Sequence, residues 1–150
     1  MKIEDIIKST VPISNEKKTL LNIMFAEITV SDHFSEILKP YDLSPEQYNV
    51  LRILRGQKGK PANMCVIQER MIAKTSNTTR LVDKLLLKEL VTREVCPDNR
   101  RKMEVQITSK GLEVLSVLDS KVIEHENYFA QKLTSEELTQ LNDLLEKYRS

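Results

Sequence analysis

Apolar positions along the chain fall first into a helical period. From Asn15 to Lys39, Leu20, Met24 and Ile28 recur every four residues, and Leu21, Phe25, Phe34 and Leu38 widen the stripe, which predicts a long amphipathic helix stopped at Pro40. A second helix starts at Ser44-Pro45-Glu46-Gln47. Ser44 serves as N-cap, Pro45 takes the first helical position, Gln47 closes a capping box, and Leu43 packs on Tyr48 as a hydrophobic staple. That helix runs through Leu51, Ile53 and Leu54 until Gly56, Gly59 and Pro61 break it. Met64 to Ala73 reads as a short helix. Another opens at Thr75 or Ser76 and runs to Leu90, with Leu81, Val82, Leu85, Leu86 and Leu90 on one face and Asn77, Thr79, Arg80, Lys84 and Lys88 largely on the other.

Beyond Leu90 the period shortens to two. Val91, Arg93 and Val95 alternate with Thr92 and Glu94, and Met103, Val105 and Ile107 alternate with Glu104, Gln106 and Thr108. The intervening Cys96 to Lys102 reads as the turn of a β-hairpin with three consecutive cations near its tip. Thr108 then caps a long helix with the stripe Leu112, Leu115, Leu118, Val122 and Phe129. Thr134 to Glu137 forms a capping box for a last helix through Leu138, Leu141, Leu144, Leu145 and Tyr148. The expected fold is mainly α with a small β-hairpin wing: two short helices joined by a turn, the hairpin, and long helices from both ends of the chain.

Composition narrows the class. A chain of 150 residues, 40% hydrophobic and 30% charged, suits one globular domain, and its three glycines are too few for a sandwich or barrel. The apolar runs are shorter than a membrane span, and acids stand among the lysines of residues 1–10, so the sequence predicts a cytoplasmic protein without a signal peptide. Cys65 and Cys96, with only His33 and His125 to help them, have no metal-ligand spacing and are expected to be reduced thiols. No phosphate loop, nucleophile with a His partner, or metal-spaced cluster supports an enzyme, and no cofactor is expected.

Charge changes the picture more. The net charge of +1 conceals a middle segment, residues 52–110, with fourteen Lys/Arg against six Asp/Glu, while residues 1–51 carry five against eight and residues 111–150 four against eight. A basic module for a polyanion thus stands between two acidic helical arms. On double-stranded DNA, the helix opening near Ser76 fits the major groove, where Ser76, Asn77 and Thr79 reach base edges, Arg80 reaches a base or phosphate, and Lys84 adds charge. The hairpin suits the minor groove, entered by Arg100 or Arg101 with Lys102 beside them. The alternative, a winged-helix module that binds protein without DNA, would need an exposed apolar patch in place of these cations.

Three ordered stretches, Leu43 to Leu51, Ser76 to Leu85, and Asn99-Arg100-Arg101 with Val105 to Gly111, resemble the MarR family of bacterial transcriptional regulators, over about residues 15–148. The resemblance implies a homodimer of winged helix-turn-helix subunits joined by N- and C-terminal helices, repressing transcription at a pseudo-palindromic operator and released by a small aromatic or lipophilic ligand. It implies a single domain, 1–150, with a DNA-binding lobe at 42–110 and a dimerisation region at 10–40 and 111–150. Effectors in such proteins lodge beside the DNA-binding lobe, which here points to His33, Phe34, Ile37, Tyr48 and Arg52. Two positions depart from the family's wing: Asn99 replaces an Asp two residues before Arg101, and Lys102 stands where a small residue is common. The reactive cysteine of the family's peroxide sensors, near the start of the first long helix, has no counterpart here.

Overall fold

A computed structural model describes residues 1–74 and 77–150. A short helix α1 (Ile3–Ile6) folds against α2 (Asn15–Leu38), tied by Lys18 to Glu4 at 2.8 Å. Pro40 does not end the helix outright. A 3₁₀ turn, Lys39–Tyr41, continues it and closes at Asp42 in the left-handed region, φ 53°. Helix α3 (Pro45–Gly56) starts as its sequence predicts, with Ser44 Oγ accepting from the Gln47 backbone N–H and Gln47 Oε1 accepting from that of Ser44. Helix α4 (Met64–Arg70) follows under an Asn63 cap. It is shorter than expected, because Met71 turns to extended backbone and buries its side chain.

Helix α5 (Thr78–Leu87) also differs from its expected span. It starts under an Asn77 cap and ends at Leu87, three residues early, where Glu89 adopts a left-handed conformation at φ 59°. Strands β2 (Val91–Cys96) and β3 (Asn99–Ile107) form the hairpin, and a two-residue strand β1 (Ala62–Asn63) adds to the other edge of β3, giving the order β1-β3-β2. Helices α6 (Ser109–Ala130) and α7 (Ser135–Arg149) complete the chain, each starting from the threonine cap read in the sequence. No described helix is long and apolar enough to cross a membrane.

The core lies where α3, α4, α5 and the sheet meet α6. Leu51, Leu54, Ile67, Leu85, Val105 and Leu115 are fully buried there, each burial contributing roughly 1.5–3 kcal/mol. Gly111 lets α6 approach this layer: a Cβ on it would lie 2.5 Å from the Leu90 carbonyl oxygen and 2.7 Å from Ile107. The surface of α2 and α7 is another matter. Leu20, Met24, Phe25 and Ile28 of α2 are exposed, and α7 buries no residue at all within its own chain.

Candidate nucleic-acid interface and effector groove

Helix α5 turns Val82 and Leu85 into the core, leaving Thr79, Arg80, Asp83 and Lys84 on its exposed face. Its start is held in two ways. Asn77 Oδ1 accepts from the Arg80 backbone N–H at 3.1 Å, and the Thr78 hydroxyl, itself buried, donates to Gln68 of α4. Asn77 therefore spends its carbonyl oxygen on capping, and a base edge is left to its amide nitrogen. Ser76, expected to read bases, lies outside the described residues.

The hairpin differs in detail from the expected seven-residue turn. The turn proper is Pro97-Asp98, Cys96 pairs with Asn99, and pairing resumes only at Val95 with Met103, so Arg100, Arg101 and Lys102 form a bulge on β3. A bulge sharpens local twist and swings the extra residues away from the ladder. All three cations are exposed. Asn99 Oδ1 accepts from the Arg101 backbone N–H at 3.0 Å, a local turn that fixes the main chain under Arg101 without a carboxylate on its guanidinium. An ion pair missed in the sequence, Arg93 Nη1 to Asp83 Oδ1 at 2.6 Å, ties β2 to α5, so helix and wing are joined as one unit.

Lys88 is the clearest departure from the expected basic face. Its ammonium turns inward, donating to Gln47 Oε1 at 3.0 Å and to the Asp42 carbonyl, with the Asp42 carboxylate at 3.5 Å. It thus anchors the end of α5 to the start of α3. Lys88→Met retains the apolar stem and loses these bonds, so chemical unfolding is expected to show about 1 kcal/mol of destabilisation, against a few tenths for Lys84→Met on the open face. Equal stability of the two variants would show that Lys88 is an ordinary surface lysine.

The five candidate effector residues are not brought together. Phe34, Tyr48 and Arg52 line one groove of about 280 Å³ with Glu27, Ser31 and Met71, between α2, α3 and the segment after α4. The Phe34 and Tyr48 rings meet edge-on at 5.2 Å, and Arg52 is held by Asn49 Oδ1 at 2.9 Å. Burial raises the Tyr48 phenol above its usual value, so it stays a neutral donor. Ile37 lines a different groove, with Tyr41 and Lys121, and packs against the core. His33 is on neither. It stacks on Tyr128 at 4.6 Å and meets His125. Behind the groove, Arg55 makes a two-pronged bond to Asp119 at 3.0 Å, linking α3 to α6.

Cys65 is exposed and Cys96 half-buried, neither in a disulfide. Among the described residues no three His, Cys, Asp or Glu side chains come together to hold a metal ion.

The MarR family model matches residues 43–103, which span α3 through the bulged wing. YpoP, an HTH-type transcriptional regulator of Bacillus subtilis (strain 168), is 30% identical over 135 residues, covering 88% of this chain and 90% of that protein. This chain belongs to the MarR family. Among solved structures, a MarR-like transcription regulator from Bacillus cereus ATCC 10987 superposes with a TM-score of 0.80 at 25% identity, over 90% of this chain and 96% of that one. A mutant MarR of E. coli complexed with operator DNA shares the fold, with a TM-score of 0.78 at 22% identity over 92% and 99% of the two chains. As a MarR family member the protein is a DNA-binding transcription regulator.

Proposed function

We propose that the protein is a cytoplasmic homodimeric repressor, with no catalytic activity, that binds a pseudo-palindromic operator and leaves it when a small aromatic or lipophilic ligand binds. Residues 42–110 form the DNA-binding lobe of this single domain, and residues 10–40 and 111–150 the dimerisation region. Thr79, Arg80 and Lys84, with Asn77 at the helix start, face the major groove; Arg100, Arg101 and Lys102 face the minor groove. The observation that carries this reading is the coupling of two exposed basic elements, α5 and the bulged wing, through the Arg93–Asp83 ion pair. Operator binding by the E. coli family member is consistent with it. A promoter fragment recovered by genomic footprinting should bind with a steep negative salt slope, each phosphate contact adding about 0.9 to it. A slope near zero would remove the DNA reading.

The groove of Phe34, Tyr48 and Arg52 supports this reading, because it offers an aromatic anion a phenol donor, a guanidinium and an apolar wall. Release requires that the ligand prefer the non-binding arrangement of the lobes, by about 100-fold or roughly 2.7 kcal/mol for a useful switch. Salicylate-like ligands titrated into the protein–operator complex should weaken it, and Arg52→Ala should respond much less. An unchanged response in the variant would move the effector elsewhere.

A further inference from the structure

His33 and His125 stand 92 positions apart in the sequence, yet their Nδ1 atoms approach to 2.7 Å across the contact of α2 with α6. The rings are nearly parallel, 22° apart, and sit in an aromatic surround. Tyr128 stacks on His33, Phe129 meets both rings edge-on at 5.4 Å, and Phe34 lies 5.0 Å from His125. Phe34 in turn touches Tyr48 of α3, inside the DNA-binding lobe. The two histidines therefore join the two long helices beside the point where the lobe hangs from them.

We infer that this pair is a proton-operated latch between α2 and α6, closed while the two rings share a single hydrogen between their Nδ1 atoms and opened when both Nδ1 atoms are protonated. The inference rests on the DNA-binding reading for its consequence, weaker operator binding in acid, and not for the latch itself.

Proton counting gives the mechanism. With both rings neutral, one Nδ1–H donates and the other Nδ1 accepts, the accepting ring keeping its hydrogen on Nε2. A first added proton goes to Nε2 of the donor ring, which leaves the N–H···N bond intact and strengthens it by charge. The second can go only to the accepting Nδ1. Two N–H groups then face each other at a distance that fits one hydrogen, on two cations in an aromatic surround. The rings must separate, and α2 must shift against α6. Two such coupled groups lose their protons in two steps that belong to the pair.

The charges around the pair do not cancel this. On α6, Glu126 favours the charged form of His125, but burial, helped by the charge of His33, outweighs it and holds His125 below the ordinary histidine value. Beyond α6, Lys132 Nζ lies over the Tyr128 and Phe129 rings, at 4.5 and 5.1 Å, and adds positive charge. On α3, Tyr48 is neutral, with Arg52 and the Arg55–Asp119 pair beyond it. On α2, Asp32 and Glu36 are exposed. Since the folded state resists the second proton, on His125, and the unfolded chain does not, the unfolded state binds more protons once pH drops below the ordinary value of about 6.5, and stability falls there.

The test compares the wild type with His33→Phe/His125→Phe, which retains ring stacking without the nitrogen contact, and with the single variant His33→Gln. Imidazole NMR of the wild type needs no variant, and should show two separated titration steps, the lower one well under the ordinary value. Thermal unfolding of the wild type should lose more on acidification than that of the double variant. Operator affinity at constant salt, taken as the ratio of wild type to double variant, should fall at least about fivefold between roughly pH 7.5 and 5, with His33→Gln following the double variant. Two independent titrations at the ordinary value, or parallel pH profiles for wild type and variants, would overturn the latch. If no operator is bound at any pH, the DNA reading fails, while NMR and unfolding still decide the latch.

Discussion

Arg101→Ala is expected to weaken operator binding by about 1–3 kcal/mol, roughly five- to 150-fold at fixed salt, with Arg100→Ala well below it and Lys147→Ala on α7 without effect. The difference between the two neighbouring arginines comes from the main chain. All three wing cations sit on a bulge, and one of them, Arg101, has its backbone N–H tied to Asn99 Oδ1. A fixed main chain leaves less backbone freedom to lose when the side chain enters a narrow minor groove, where the negative potential is deepest. A screened phosphate contact would instead cost little and lower the salt slope by about one. Fluorescence anisotropy across a salt series reads both quantities. Equal losses at Arg100 and Arg101 would mean that the wing supplies only diffuse charge.

The places where the sequence was easy to read share a physical cause. Helix starts are written in side chains that bond their own backbone within three residues, so Ser44 with Gln47, Thr108, and Thr134 with Glu137 announce α3, α6 and α7. Helix ends carry less. The end of α5 rests on a left-handed Glu89, where no glycine signals it, and on an ammonium, Lys88, that reaches inward to Gln47. Strand β1 has two residues and exists only because β3 lies beside it. Its alternation is too short to register.

The candidate site was legible to the same degree. The basic stretch and its two elements follow from local pattern, whereas the bulge that groups Arg100 to Lys102 depends on the register of β3 against β2. Residues from α2, α3 and the segment after α4 build the candidate effector groove, so proximity in the sequence could not separate Phe34 from its neighbour His33, which turns toward α6. Leu118 illustrates the same limit. It shares the apolar stripe of α6 with Leu112, inside the segment 111–150 that the family resemblance assigns to dimerisation, yet it is fully buried in the chain's own core while Leu112 is exposed.

Leu141→Glu/Leu145→Glu is expected to convert the protein to a monomer and to lower its affinity for a full operator by more than about a hundredfold. The argument starts from α7, a 15-residue helix with no residue buried in its own chain. Helices of that length are marginal in water unless an apolar face is covered. Leu141, Leu144, Leu145 and Tyr148 form such a face, open toward Thr19 and Ile23 of α2, and Leu20, Met24 and Ile28 extend it along α2. In the proposed homodimer a second copy would cover both faces at once under two-fold symmetry, and would place two α5 helices on successive major-groove turns. Each subunit bound to one half-site then holds the other at high effective concentration, which is the source of the large loss when the pair is split. Four carboxylates at a two-fold interface, two from each subunit, would put charge on what is now an apolar face, while the core around Leu51 and Leu85 is left untouched. Light scattering reads the mass, circular dichroism the retained helix, and anisotropy the affinity. A folded monomer that binds the full operator as the parent does would disprove the two-fold arrangement, and a dimer of unchanged mass would move the interface away from α7.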